Sequence, residues 1–226
     1  MKKKGFIVCI PARYSSTRFP GKVLALLGGK PIIQWVYEKA IASMAEKVII
    51  ATDDKKVKEV VDGFGGTCII TSPNHPSGTD RIWEAVENIE CSVIINIQGD
   101  EPLIEVSTIN QLIDLFESNK RIEMGTVVVN SDREKIGRNP NVVKAVLAKD
   151  GSALYFSRSE IPYIRDSGKE FPIFKHLGIY GYKKETIQKI VSLPQSELEK
   201  CEMFEQLRAL DNGIKIFTVI LKNDFG

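Results

Sequence analysis

Strand-like and helix-like segments alternate along the first half of the 226-residue sequence, which predicts an α/β fold with a mostly parallel sheet. Polar loops follow the short apolar runs, as Pro11 and its neighbours follow Phe6–Ile10, and this supports the same fold. From about Met124 the pattern changes, because strand-like segments follow one another with little helix between them. We therefore expect one domain over residues 1–226, with a β-rich excursion over residues 124–182.

The first half predicts a regular succession of elements. Pro31 is expected to open the first helix, because proline is favoured at the first helical position. A second helix is predicted at Lys55–Gly63. Ser77–Asp80 has the spacing of a capping box, which predicts a helix to about Ile89, and Ser107 is expected to cap a further helix. The predicted strands are Phe6–Ile10, Lys47–Ala51, Thr67–Ile70 and Ser92–Ile97.

The second half predicts more strand than helix. Two helices are expected, at Lys184–Ser192 and Glu197–Leu210, and Gly213 suits the position after the second one. Strand edges need pairing or cover, so the excursion over residues 124–182 is the candidate contact of a homodimer. The predicted strands are Met124–Val129, Val142–Ala148, Ala153–Phe156, Phe174–Tyr182 and Ile214–Leu221.

Composition and charge exclude several classes of function. The net charge of +2 gives no support for binding to nucleic acid or to an anionic membrane. The apolar runs are too short to span a bilayer, and the N-terminus has no export signal, so we expect a cytoplasmic protein without membrane insertion. Four scattered cysteines and two histidines do not have the spacing of a zinc site.

The loop after the first predicted strand, Pro11–Lys22, is rich in groups that bind phosphate. Arg13, Arg18 and Lys22 can neutralise phosphate charge, and backbone amides and hydroxyl groups can hold phosphate oxygens. The loop is neither a Walker A nor a G-x-G-x-x-G motif. The alternative is an ordinary basic loop exposed to solvent, and composition alone does not separate the two.

A pair of acidic residues, Asp100 and Glu101, follows the most apolar predicted strand. Ligands of parallel α/β sheets bind beyond the carboxyl ends of the strands, and Mg²⁺ takes one or two carboxylates together with phosphates and water. A metal site is therefore expected there. The alternative is a turn that leads into a helix, for which Gly99 and Pro102 are equally typical.

Other candidate residues have an ordinary alternative. His176 suits a half-buried position in a strand, and His75 suits a surface loop. Arg158 is either a carboxylate-binding residue or a partner in an ion pair. By helical spacing alone, Glu205 and Gln206 belong to an exposed helix face.

Taken together, six segments of this sequence resemble the motif series of the 3-deoxy-manno-octulosonate (Kdo) cytidylyltransferases, also called CMP-Kdo synthetases. They occur in the family's order and extend over essentially the whole chain, which makes the resemblance highly specific. Sugar-nucleotide pyrophosphorylases and sialic acid cytidylyltransferases are broader relatives. The segments are PARYSSTRFPGKVL (Pro11–Leu24), SGTDR (Ser77–Arg81), NIQGDEP (Asn96–Pro102), ALYFSRSEIP (Ala153–Pro162), HLGIYGY (His176–Tyr182) and EMFEQLRAL (Glu202–Leu210).

The resemblance implies a nucleotide-diphospho-sugar transferase-like three-layer fold, a homodimer, and transfer of CMP from CTP to Kdo with Mg²⁺ as cofactor. Catalysis would involve Arg13, Lys22 and Asp100, with Asp100 as the metal ligand. The implied nucleotide-binding residues are Pro11, Ala12, Arg13, Ser15, Ser16, Lys22, Ser77, Gly78, Thr79 and Arg81. The implied sugar-binding residues are Gln98, Arg158, His176, Tyr180, Glu205 and Gln206.

One part of the family pattern lies beyond the sequence given. A Gly-Val-Asp-Thr-Pro-like segment of the family carries a second Asp that completes the metal site, whereas this sequence stops at Gly226. The resemblance therefore implies a continuation of the chain or a shortened protein, and it does not assign Asp224 as a substitute.

Three further hypotheses remain open. One is a cytidylyltransferase for the 8-amino analogue of Kdo or for sialic acid, which an assay would separate. A second is a CTP-binding protein without turnover. A third is a glycosyltransferase of related fold, which requires an Asp-x-Asp motif that the sequence does not contain.

Overall fold

The computed structural model describes residues 1–14, 19–166 and 171–224. Its strands are β1 (Lys3–Ala12), β2 (Leu26–Leu27), β3 (Lys30–Pro31), β4 (Ala45–Thr52), β5 (Cys68–Ile70), β6 (Val93–Ile97), β7 (Met124–Ser131), β8 (Lys144–Leu147), β9 (Ala153–Ser157), β10 (Ile173–Lys183) and β11 (Ile216–Leu221). Its α-helices are α1 (Ile32–Ala42), α2 (Lys55–Gly63), α3 (Gly78–Val86), α4 (Val106–Ser118), α5 (Arg133–Ile136), α6 (Lys184–Ser192), α7 (Glu197–Glu202) and α8 (Gln206–Asp211), and a 3-10 turn covers Lys22–Leu24.

The main sheet has the order β11-β7-β10-β6-β1-β4-β5. Strand β10 pairs antiparallel with both β6 and β7, and every other pair along this path is parallel. The prediction of a mostly parallel sheet is therefore confirmed. The short pair of β2 and β3 lies outside the main sheet.

Helices cover both faces of the sheet, which gives the expected three layers. The residues of β1 alternate between two hydrophobic clusters, with Val8 in one and Ile7 in the other. Helices α1, α2 and α4 contribute to the first cluster, and α3, α6 and α8 contribute to the second. A strand that is buried on both faces has a continuous apolar sequence, as Phe6–Ile10 does.

The segment 124–182 is only partly separate from the main sheet. Strands β7 and β10 at its two ends are central strands, while β8 and β9 form an antiparallel pair attached to one end of β10. The described residues contain no helix that is long and apolar enough to cross a membrane.

Three predicted helix boundaries are wrong. Pro31 is the residue before α1 rather than its first residue. Helix α4 begins one residue before Ser107, and Glu105 takes the N-cap position without a side-chain bond. The single helix expected over Glu197–Leu210 is divided into α7 and α8 at Met203, which has a left-handed backbone (φ 49°).

Candidate active site

A cleft of about 500 Å³ opens beyond the carboxyl ends of β1 and β6, where the parallel arrangement predicted it. It brings together seven of the residues that the sequence singled out, from three separate segments. Its described lining consists of Pro11, Arg13, Lys22, Val23, Pro76, Ser77, Gly78, Gln98, Gly99 and Asp100.

Gly99 allows the two strand ends to approach each other closely. A Cβ atom at this position would lie 3.1 Å from the carbonyl oxygen of Pro11 and 3.1 Å from Ile33 Cδ1. A larger residue would therefore push the Asp100 turn away from β1, and glycine keeps the two walls of the cleft together.

The charged residues of the cleft pair with one another or with its walls. Lys22 Nζ lies 2.7 Å from Asp100 Oδ2, and both side chains remain about half exposed. Arg13 Nη2 donates a hydrogen bond of 3.1 Å to the carbonyl oxygen of His75. A cation and a carboxylate thus face the same accessible space, which suits binding of a phosphate group together with a metal ion.

The N-terminus of α3 forms another wall. Ser77 is its N-cap, as predicted, because the serine hydroxyl accepts a bond from the Asp80 amide. The Thr79 hydroxyl donates to Glu205 Oε2 at 3.0 Å, and the Ser77 hydroxyl shares its one proton between Glu205 Oε1 at 2.9 Å and Asp80 Oδ2 at 2.5 Å. Burial raises the pKa of Glu205, and these two bonds oppose that shift. Glu205 therefore links the N-terminus of α3 to the start of α8.

The loop before α3 is held by its own contacts. The Nε2 atom of His75 forms a very short contact with the Glu84 carboxylate, and the Ser72 amide donates to the same Glu84 oxygen at 2.9 Å. Since Arg13 bonds to the His75 carbonyl, this loop connects α3 with the loop that follows β1.

Arg81 is held by contacts outside the cleft. Its side chain is fully buried and donates to Thr71 Oγ1 (2.6 Å) and Asp53 Oδ2 (2.7 Å). Arg81 does not contribute to the described lining of the cleft, and its expected contact with the nucleotide stays a prediction. Arg81 instead joins α3 to the residues that follow β4 and β5.

Several of the expected sugar-binding residues form a buried group outside the described lining of the cleft, and His176 also lines a smaller pocket of about 180 Å³ beside Glu101 and Gly178. His176 stacks on Tyr180 with ring centroids 5.3 Å apart, and it meets Phe156 and Phe204 edge to face. Burial lowers the pKa of His176 to about 3, so its ring is neutral at pH 7. The Thr126 hydroxyl donates to the Ile179 carbonyl, so it accepts from His176 Nε2–H and leaves Nδ1 as the acceptor nitrogen.

Arg158 does not contribute to the described lining of the cleft. Its guanidinium donates to the backbone carbonyls of Glu202 (2.8 Å), Pro140 (2.9 Å) and Met203 (3.4 Å). The structure thus joins it to the end of α7, and its expected contact with a sugar carboxylate stays a prediction. Ser15 and Ser16, also expected at the nucleotide, lie outside the described residues.

Asp100 fits the expected Mg²⁺ chemistry. Its carboxylate is accessible in the cleft, and Glu101 is adjacent, with a pKa that is raised by burial and then by the charge of Asp100. Mg²⁺ commonly takes one or two carboxylates plus phosphate and water oxygens. The described residues contain no group of three or more His, Cys, Asp or Glu side chains arranged to hold a metal.

Two buried residues near this site were missed from the sequence. Tyr182 is almost fully buried and bonded to Gln206, and Lys144 is fully buried and bonded to the Arg158 carbonyl. The signal for Tyr182 was present, because it lies two residues after Tyr180 on one strand and therefore on the same face. Nothing in the local sequence distinguishes Lys144 from a surface lysine.

The fold and the cleft define a nucleotidyltransferase-like α/β protein, and comparison with known proteins identifies the family. A family model described as cytidylyltransferase matches residues 7–216. The chain therefore belongs to the cytidylyltransferase family, as the motif resemblance implied.

Individual relatives agree with this assignment. The 3-deoxy-manno-octulosonate cytidylyltransferase of Thermodesulfovibrio yellowstonii is 51% identical over 224 residues, which cover 93% of this chain and 88% of the relative. The 8-amino-3,8-dideoxy-manno-octulosonate cytidylyltransferase of a Shewanella species is 47% identical over 215 residues, covering 93% of this chain and 87% of the relative.

Solved structures show the same similarity. A CMP:2-keto-3-deoxy-manno-octonic acid synthetase complexed with CTP superposes with a TM-score of 0.93 at 39% identity, covering 96% of this chain and 90% of that one. A thymidylyltransferase from Bacillus anthracis shares the fold, with a TM-score of 0.64 at 15% identity over 96% of this chain and 87% of that one.

Proposed function

We propose that this chain transfers CMP from CTP to Kdo, giving CMP-Kdo and pyrophosphate for lipopolysaccharide biosynthesis. The observation that supports this most strongly is the cleft in which Lys22 faces Asp100 between the strand ends. The 51% identical relative named for this reaction supports the same substrate pair.

The reaction requires orientation more than covalent chemistry by the protein. The anomeric hydroxyl oxygen of Kdo forms a bond to the α-phosphorus of CTP, the bond from that phosphorus to the bridging oxygen breaks, and the hydroxyl proton passes to solvent. Holding the two reactants in line can contribute about 7–11 kcal/mol to lowering the barrier. Arg13 and Lys22 offset negative charge on the departing pyrophosphate.

Asp100 would hold Mg²⁺, which would supply a positive charge that binds the phosphate oxygens. On the other side of the cleft, Gln98 and the group of His176, Tyr180, Glu205 and Gln206 are the candidates for sugar binding. We propose Arg158 for the sugar carboxylate, because a guanidinium can pair with a carboxylate through two parallel bonds.

The test is pyrophosphate release by the protein with CTP, Mg²⁺ and either Kdo or its 8-amino analogue. The Shewanella relative makes the 8-amino sugar a specific second candidate. Faster release with Kdo supports the proposal, and faster release with the amino sugar replaces it with the second candidate. CTP binding without release from either sugar would favour a protein that has lost turnover.

A homodimer and a cytoplasmic location are parts of the same proposal. Leu154 lies on β9 within the segment expected to form the dimer and is 62% exposed, so a partner subunit could cover it. We expect Leu154→Glu to convert dimers to monomers in light scattering. Ile41→Glu, at an exposed residue of α1, is the matched control and should leave the mass unchanged. A dimer that survives the Leu154 change would remove β9 from the interface.

A further inference from the structure

The hydroxyl of Tyr182 lies at the centre of a buried polar network. Tyr182 is only 1% exposed. Gln206 Nε2 donates to the hydroxyl at 3.3 Å, and the polar side chains of Thr79 and Asn96 are close enough to lower the pKa of Tyr182 against the effect of burial. The hydroxyl is therefore bonded to α8 and lies close to polar side chains of α3 and β6.

The antiparallel pairing of β6 and β10 places these groups together. Tyr180 is opposite Asn96, and Tyr182 is opposite Ile94. Residues two apart in a strand share a face, so Tyr182 and Asn96 are diagonal neighbours, a spacing that a long aromatic side chain spans. The helices α3 and α8 cover this face of the sheet, which excludes water from the hydroxyl.

The neighbours of this hydroxyl are bonded in turn to residues of the proposed sugar site. Thr79 Oγ1 donates to the Glu205 carboxylate at 3.0 Å. Asn96 Oδ1 accepts from Gln98 Nε2 at 3.3 Å.

The network ends at residues that face the substrates. Gln98 and Ser77 both line the cleft. Gln98 connects to Tyr182 through Asn96, and Ser77 connects through Glu205 and Thr79. Three of the residues proposed for sugar binding, Gln98, Glu205 and Gln206, are therefore held directly or through one neighbour by the same hydroxyl.

We propose that Tyr182 is a positioning residue for the sugar acid: its hydroxyl fixes the side chains of Gln98, Glu205 and Gln206 in the arrangement that receives the acceptor. This inference rests on the proposed function. Tyr182 does not touch the substrate, since its side chain is buried. Its effect is transmitted through the three polar residues.

The test is Tyr182→Phe, which removes one oxygen and keeps the ring that fills the core. The loss of a buried bond that orders several acceptor groups should raise the KM for Kdo about fivefold or more. The KM for CTP should stay within about twofold, because Ser77 keeps its own cap bond to Asp80 and Arg13 keeps its bond to His75. The measurement is pyrophosphate release with each substrate varied in turn.

Tyr37→Phe is the matched control. Tyr37 is also a buried tyrosine whose hydroxyl accepts one bond, from the Thr67 amide at 3.2 Å, but it packs in the cluster on the opposite face of the sheet. Both variants lose a buried hydroxyl and should lose similar stability in urea unfolding. Only Tyr182→Phe should change the KM for Kdo, which a purely structural role would not predict.

The possible outcomes separate this inference from the proposed function. If the wild-type protein turns over Kdo and the two variants have the same kinetics, the role of Tyr182 is refuted and the proposed function stands. If the wild-type protein binds Kdo in calorimetry without turnover, a weaker affinity in Tyr182→Phe alone supports the role, and equal affinities refute it. A wild-type protein that neither binds nor converts Kdo would overturn both.

Discussion

The guanidinium of Arg81 has no exposed surface and holds together the ends of two strands through Asp53 and Thr71. Burial lowers its pKa, and the carboxylate of Asp53 opposes that shift. Removing one partner of a buried ion pair leaves an uncompensated charge, which typically costs about 3–5 kcal/mol. We therefore expect Arg81→Met to lower the free energy of unfolding by about that amount in urea titrations.

Lys58→Met is the matched control for Arg81→Met. Lys58 pairs with Asp62 one helical turn away at 2.9 Å, and both side chains are well exposed. Exposed pairs contribute about 0–1 kcal/mol, so this variant should unfold almost as the wild type does. Equal losses of unfolding free energy in the two variants would contradict the prediction that the buried Arg81 pair stabilises the fold more than an exposed pair does.

We expect the activity to depend strongly on the side chain of Asp100. Asp100→Ala removes the proposed metal ligand, and a metal ion contributes several kcal/mol to stabilising transferred charge, so turnover should fall at least about 100-fold. Because the side chain is about 40% exposed, the fold should be unaffected. Pyrophosphate release measures the loss of turnover, and urea unfolding checks that the fold is unaffected. Asp62→Ala, at an exposed residue, is the control. Full activity with Mg²⁺ would remove Asp100 from the metal site.

Local sequence signals predicted the residues that act through local geometry. Ser77 caps α3, as its spacing to Asp80 predicted, and this signal depends only on a side chain and an amide three residues away. Arg81 could not be placed in this way. Its position depends on Asp53 and Thr71, which follow β4 and β5, and an arginine beside a ligand-binding motif is typical of both a ligand contact and a buried pair.

At the scale of elements, the β8 and β9 pair depends on a buried lysine. Lys144 Nζ donates to the backbone carbonyls of Asn139 and Val142, each at 2.9 Å, and forms a shorter bond to the carbonyl of Arg158. Burial lowers the pKa of this lysine. Its ammonium group therefore fixes the loop before β8 and the end of β9 relative to each other.

We expect Lys144→Met to lower the free energy of unfolding by about 2–4 kcal/mol, because it leaves buried carbonyls without a donor. If Arg158 binds the sugar carboxylate, the KM for Kdo should also rise, because the Arg158 backbone loses its support. Lys184→Met is the control, since Lys184 also donates to two carbonyls but at a more exposed site. A change in stability no larger than that of the control would contradict this role for Lys144.

The division of α7 from α8 shows why an element boundary was missed. The apolar spacing of Met203, Leu207 and Leu210 predicts one continuous helix. The chain instead turns at Met203, and a buried pair of two hydrogen bonds, Arg208 Nε and Nη2 to the Glu199 carboxylate, holds the two short helices across the turn. That pair is favourable only in the folded protein, so a periodic pattern does not reveal it.

At the scale of the whole molecule, the sequence predicted the class of sheet but not its order. The alternation of strand-like and helix-like segments along the chain predicts parallel neighbouring strands, such as β1 and β4. The insertion of β10 between β6 and β7 joins residues about 40–90 positions apart, and no local pattern predicts such a pairing. This insertion places Tyr180 opposite Asn96 of β6 and His176 opposite Val128 of β7, so only the motif resemblance could indicate these residues as a sugar site.

The burial of His176 makes the stability of the whole molecule depend on pH. Its pKa is about 3 in the folded protein and 6.5 as the ordinary value. As the pH falls below 6.5, the unfolded chain binds a proton that the folded protein does not, so stability is lost from pH 6.5 downward. One such proton corresponds to about 1.4 kcal/mol per pH unit.

Within this range Glu205 acts in the opposite direction, because its raised pKa favours the folded protein at low pH. We therefore compare the wild type with His176→Gln, in which the amide can still donate to Thr126 and Glu205 is unchanged. Urea unfolding between pH 5 and pH 6.5 should show a slope smaller by up to about 1.4 kcal/mol per pH unit in the variant. Above pH 7 the difference between the two proteins should be constant. Parallel stability curves over the whole pH range would contradict this prediction, because they would mean that His176 binds a proton equally well in the folded and unfolded protein. We expect the folded protein to bind it less well, because Phe156, Phe204 and Tyr180 enclose the ring.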